Sequence, residues 1–225
     1  MQGQTALEEQ FRSCQYVIHT ASPFKETAAD PQKELVDPAV KGTQIVLDAC
    51  NDAGVKRVVV TSSTAAITPQ LPSKAHSGKL FTEGDWQRDA TIKDGPYRLA
   101  KRLAEEMVWS FVKEDTGVEV AVINPSFVIG PPVMTHVAGE SLNFMKTLLE
   151  GGYAAGAPGR ASGAVDVRDV ADAHIAAMTN LAAPGSRFLL SSASSFTKLD
   201  LANQLRQDSG KRFVSTHAIC RGLRL

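Results

Sequence analysis

Short apolar runs alternate along this chain with longer stretches in which apolar positions recur every three or four residues. Residues 16–20, 57–61 and 118–123 are β-prone and largely apolar at consecutive positions. They predict strands buried on both faces, as in a parallel sheet. Residues 37–53 carry Val40, Thr43, Leu47 and Cys50 at helical spacing, with Pro38 tolerated near the start and Gly54 placed to end the helix. A second long helix is expected to open at Pro96 and run to about Thr116, stopped by Gly117. Shorter helices are expected at 5–13, capped by Thr5, and at about 140–150, 168–180 and 197–209. Short strands at 164–167 and 187–191 complete the pattern. Residues 24–35 and the long stretch before Pro96 predict loops, and the Gly-rich residues 151–163 a flexible connection. The order strand–helix–strand–helix–strand predicts an α/β fold on a parallel sheet with right-handed crossovers.

Composition narrows the partners. The 24 acidic and 24 basic residues cancel, which gives no reason to expect nucleic acid or an anionic membrane as a partner. No apolar run approaches eighteen residues, so no membrane span is expected. The first residues have neither a basic start nor an apolar stretch, and so do not read as a signal peptide. Cys14, Cys50 and Cys220 are odd in number and far apart, which reads as reduced thiols in a cytoplasmic protein without metal-ligand spacing. His19 and His174 lie in apolar surroundings and predict packed, hydrogen-bonded rings rather than ligands.

Candidate chemistry gathers where the strands end, because ligands of open α/β sheets bind outside the carboxyl ends of the strands. The first strand exits through Thr20, Ala21 and Ser22, small enough for a flat ring or a ribose to approach the backbone. The second exits through Ser62 and Ser63, hydroxyls suited either to a turn or to donation toward a carbonyl oxygen. The third exits through Asn124 and Pro125, where proline fixes the departing backbone. On the helix that follows Pro96, Tyr97 and Lys101 are four apart and share one face. An ammonium held about 4 Å from a phenol oxygen, at an effective dielectric near 20, supplies up to about 4 kcal/mol toward the phenolate. That brings a group with an ordinary pKa near 10 within reach of proton transfer at neutral pH.

Taken together these stretches resemble the extended short-chain dehydrogenase/reductases, in the branch of dihydroflavonol reductases, cinnamoyl-CoA reductases and aldehyde reductases. The resemblance rests on Val17-Ile18-His19-Thr20-Ala21-Ser22-Pro23-Phe24, Pro38-Ala39-Val40-Lys41-Gly42-Thr43 and Val55 through Ser63. It continues in Tyr97 with Lys101, in Ile123-Asn124-Pro125 through Gly130-Pro131, and in Val165-Asp166-Val167-Arg168-Asp169-Val170-Ala171-Asp172-Ala173-His174. It covers about residues 5–210.

The resemblance implies a Rossmann-like doubly wound parallel sheet over residues 1–225, with substrate-region segments at about 130–165 and 187–225. It implies hydride transfer between a nicotinamide cofactor, NADP or alternatively NAD, and a small-molecule carbonyl substrate. Ser63, Tyr97 and Lys101 take the catalytic positions. Thr20, Ala21, Ser22, Tyr97, Lys101, Pro125, Ser126, Phe127, Val128 and Ser141 take the cofactor-contacting ones. The resemblance also implies a first strand and a Gly-rich phosphate loop ahead of residue 16, where this chain has 15 residues and no such loop. Two expectations follow: weak cofactor binding, and self-association through an exposed strand edge. The alternatives are a catalytically inert chain with an interaction role, or a related epimerase or 3β-hydroxysteroid dehydrogenase-like enzyme. A hydrolase is disfavoured, because no G-x-S-x-G elbow occurs.

Overall fold

The computed structural model describes residues 2–23, 28–70, 78–114, 116–133, 139–152, 157–158, 161–209 and 219–220. In chain order they form α1 (Gln2–Phe11), β1 (Tyr16–His19), α2 (Asp37–Asp52), β2 (Arg57–Thr61), α3 (Pro96–Lys113), β3 (Glu119–Pro125) and β4 (Phe127–Ile129). There follow α4 (Glu140–Leu149), β5 (Ala157–Pro158), β6 (Ser162–Asp166), α5 (Val167–Thr179), β7 (Arg187–Leu190), β8 (Ser195–Phe196), α6 (Lys198–Ser209) and β9 (Ile219–Cys220). The chain divides into two units, one of residues 1–125 and 169–190, the other of residues 126–168 and 191–225.

The first unit holds a four-stranded, all-parallel sheet in the order β1-β2-β3-β7. The runs of β2 and β3 are apolar at successive positions because both faces are covered. Val58, Val60, Val120 and Val122 pack with Leu47, Val108 and Phe111 of α2 and α3. Val59, Ala121 and Ile123 point the other way and pack with Ala177 of α5 and with Ala183. Gly54 and Gly117 turn the chain after the helices with φ of 70° and 77°.

Several expectations change. Thr5 lies inside α1 and does not cap it. Residues 32–36 are not loop: a π-helical turn, Gln32–Val36, leads into α2, because Leu35 and Val36 bury against Ala39, Ala100 and Ala104. The long helix ends at Lys113 rather than near residue 116. The strand expected at 164–167 is β6, Ser162–Asp166. Arg187–Leu190 joins the main sheet beside β3, and Phe188 and Leu190 pack on its core. Residues 153–156 and 159–160 of the Gly-rich stretch, and Phe24, lie outside the described residues.

The second unit pairs β4 parallel to β6 and β6 antiparallel to β8. Phe127 anchors it, edge-on to Phe144 at 5.2 Å and tilted against Phe196. No helix among the described residues is long and apolar enough to cross a membrane.

Candidate active site

α3 carries the central pair, and Gly95 decides where that helix starts. Its φ of 84° is left-handed, and a Cβ there would meet the Gln70 carboxamide at 2.6 Å. Pro96 then takes the first helical position. Arg98 fastens this end, donating to the carbonyl and the hydroxyl of Thr68 at 2.9 and 2.8 Å. Tyr97 and Lys101 follow on one face, toward the carboxyl ends of β1 and β2.

Of the two serines leaving β2, Ser63 is the one hydrogen-bonded to Tyr97. It also caps the short helical turn Thr64–Ala66, accepting from the Ala65 N–H at 3.1 Å. The cap and the bond to Tyr97 therefore coexist in one hydroxyl. Ser62 is turned away and donates to the buried carboxylate of Glu105 at 2.5 Å.

Burial governs the protonation of the pair. The Tyr97 phenol is pushed above its ordinary value, chiefly by burial, with the Ser63 hydrogen bond and the Arg98 charge pulling the other way. The phenolate stabilisation expected from Lys101 does not prevail. Lys101 reaches instead to the Thr61 carbonyl at 3.4 Å, and burial outweighs the Arg98 charge. The same burial brings Lys101 itself down to about 8, against the pull of Glu105.

A small cavity adjoins Lys101, lined by His19, Ala21, Ser22, Thr43, Ser62 and Glu105 among others. His19 is buried, its Nε2 lies 3.4 Å from the Thr43 hydroxyl, and burial followed by the Lys101 charge lowers its pKa. His174 donates from Nδ1 to the Val170 carbonyl at 2.7 Å, which leaves Nε2 to accept from Thr61 Oγ1, also at 2.7 Å. Both rings are packed and hydrogen-bonded, as their apolar surroundings predict. Among the described residues no group of three His, Cys, Asp or Glu side chains could hold a metal ion.

The structure thus gathers Ala21, Ser22, Ser63, Tyr97 and Lys101 in the first unit, with Pro125 closing β3 next to Asn124. Thr20 is exposed just beyond β1 and is not in the cavity wall. Ser126, Phe127, Val128 and Ser141 belong to the second unit, where the Ser126 hydroxyl is buried without a protein partner.

Sequence reasoning missed Glu105 and Arg187. Glu105 is fully buried and accepts from Ser62, Asn124, Trp109 and Arg187. Its signal was an acidic residue at i+4 from Lys101 and i+8 from Tyr97, on the face that must turn toward the sheet.

The donors fit a bound nicotinamide ribose. Lys101 spends one N–H on a long bond, leaving others for ribose hydroxyls, and Ala21 and Ser22 offer little bulk. Asn124 Oδ1 is a buried acceptor with no partner. No Gly-rich turn between a strand and a helix offers itself to a pyrophosphate among the described residues.

Residues 1–198 match the profile of the 3-beta hydroxysteroid dehydrogenase/isomerase family. The cinnamoyl-CoA reductase CAD2 of Medicago truncatula is 39% identical over 202 residues, 86% of this chain and 59% of the relative. A putative NADPH-dependent methylglyoxal reductase of Candida albicans is 34% identical over 205 residues, 85% of this chain and 59% of the relative. The yeast methylglyoxal/isovaleraldehyde reductase solved with NADPH superposes with a TM-score of 0.84 at 27% identity, over 96% of this chain and 68% of that one. The chain spans about six-tenths of the length of the curated relatives it matches.

Proposed function

This chain belongs to the 3-beta hydroxysteroid dehydrogenase/isomerase family, and from that premise we propose that it carries the proton-transfer site of an NADPH-dependent carbonyl reductase. The supporting observation is the hydrogen bond between Ser63 and the partly buried Tyr97, one helical turn before Lys101, at the carboxyl ends of the strands. NADPH, when bound, supplies the hydride. The Ser63 hydroxyl holds the substrate carbonyl oxygen where negative charge develops. Tyr97 Oη gives that oxygen its proton. Burial keeps the phenol protonated, which is the form required to reduce a carbonyl rather than to oxidise an alcohol. Lys101 Nζ donates to the ribose, beside Thr20, Ala21 and Ser22. Pro125, at the end of β3, flanks the nicotinamide side. The similarity to cinnamoyl-CoA and methylglyoxal reductases supports a small aldehyde, ketone or thioester as substrate.

The test incubates the full chain with millimolar NADPH and methylglyoxal or cinnamoyl-CoA and measures the reduced product. Product formation is expected to fall by about 10²–10⁴ in Tyr97→Phe, the range for loss of a general acid. Equal rates in parent and Tyr97→Phe refute the assignment.

One observation favours a second reading, an inert chain that associates with other copies. Among the described residues β1 pairs only with β2, and Ile18 on it is 41% exposed. That reading predicts no NADPH binding in a fluorescence titration. The reductase reading predicts saturable NADPH binding.

A further inference from the structure

We propose that Glu105 is the positioning residue of this site, one carboxylate that fastens the helix bearing Tyr97 and Lys101 to the strand ends bearing Ser63 and Asn124. The inference rests on the reductase reading above and deepens it.

The Glu105 side chain has no exposed surface. Each of its oxygens accepts two hydrogen bonds. Oε2 takes Ser62 Oγ at 2.5 Å and Asn124 Nδ2 at 2.8 Å. Oε1 takes Arg187 Nε at 2.5 Å and Trp109 Nε1 at 3.3 Å. The donors come from the end of β2, from β3, from β7 and from α3 itself. Asn124 Nδ2 also lies 3.2 Å from the Ser63 carbonyl, so the backbone of Ser63 is held on one side through Ser62 and on the other through Asn124. Arg187 is itself fixed, donating to the carbonyls of Glu83 and Asp85 and stacking 4.0 Å over Trp86. The carboxylate therefore has one orientation, and with it the distance from α3 to both strand ends.

Its charge has a second use. Lys101 faces His19 of β1, the Thr61 carbonyl of β2 and Glu105 of its own helix, while α2 presents only Thr43 to the same cavity. Among the described residues Glu105 is the single acidic one in that wall. It holds the proton on Lys101 against the burial that removes it. A neutral acceptor of the same shape would tie the strands but would not do this.

The experiment follows Lys101 directly, by NMR titration of its Cε and Nζ in the full, lysine-labelled chain, assigned with Lys101→Arg. In Glu105→Gln, Lys101 is expected to release its proton about tenfold more readily than in the parent. Glu105→Gln strands the Arg187 charge, so the charge-balanced pair Glu105→Gln/Arg187→Met is titrated beside it, with the same expectation. A Lys101 equilibrium within twofold of the parent in the double variant overturns the proposal, because the effect would then belong to the stranded arginine. NADPH turnover is read separately. A shifted Lys101 in a chain without turnover supports the Glu105 assignment and counts against the reductase reading. Turnover with an unshifted Lys101 refutes the Glu105 assignment alone.

Discussion

Two influences compete at the Tyr97 phenol, and burial wins. The Ser63 hydrogen bond and the Arg98 charge pull the other way without reversing it. Lys101 meets the same burial with the opposite consequence, titrating at about 8 instead of 10.5. Between those values the native chain binds fewer protons than the unfolded one, so stability from this group rises with pH. The contribution is complete above 10.5 and is lost as the pH falls to 8. At neutral pH the buried charge then costs about 3 kcal/mol. Lys101→Met is expected to be more stable than the parent at pH 7 in urea unfolding, with the gap closing between pH 8 and 10.5. Equal midpoints at pH 7 would mean that the ammonium is solvated. Cys50 works against this trend, since burial lifts its thiol to about 12 and costs stability above pH 9. The comparison therefore needs the single variant rather than the parent profile alone.

Within the elements, the buried arginine of β2 has a structural task. Arg57 sits 1% exposed at the first position of β2, and its Nη1 donates to the carbonyls of Ala177, Met178 and Asn180 at 3.0, 2.9 and 2.6 Å. It closes the carboxyl end of α5 with a positive charge, where the helix dipole favours one. Glu119 neutralises it from β3 at 2.7 Å. Arg57→Leu is expected to cost about 2–3 kcal/mol, seen as a fall in Tm of about 4–12 °C. An unchanged Tm would mean that solvent satisfies those carbonyls equally well. Gly95→Ala is expected to shift the start of α3, since it strains a left-handed φ and drives a methyl into Gln70. Near-ultraviolet circular dichroism of Tyr97 checks it, and an unaltered spectrum refutes it. The strands of this unit were legible in the sequence because residues 58–60 and 120–123 are apolar on both faces. The π-helical turn was not, because Leu35 and Val36 are two buried positions in a polar string, too few to show a period.

Across the whole molecule, what the sequence disclosed and what it hid divide by distance along the chain. Tyr97 and Lys101 are legible because one helix spaces them. Ser63 is legible only by resemblance, since nothing local separates it from Ser62. Glu105 was hidden because its partners Asn124, Ser62 and Arg187 lie 19, 43 and 82 residues away, and only the folded sheet brings them together. The edge of β1 belongs to this scale too. With Ile18 exposed and no further strand beside it among the described residues, the chain is expected to sediment as a concentration-dependent oligomer. Ile18→Lys is expected to return it toward monomer, and a parent monomeric at every concentration sinks the idea. The ion pair of Glu105 with Arg187 also has a consequence in time. As the chain leaves the ribosome, β1, β2 and β3 are complete while Arg187 is still unmade. Until then the carboxylate at the centre of the site is being folded away without its cation. The last strand of the sheet is thus also the moment at which the site becomes electrically affordable, and a chain arrested before residue 187 should be held open by its own acid.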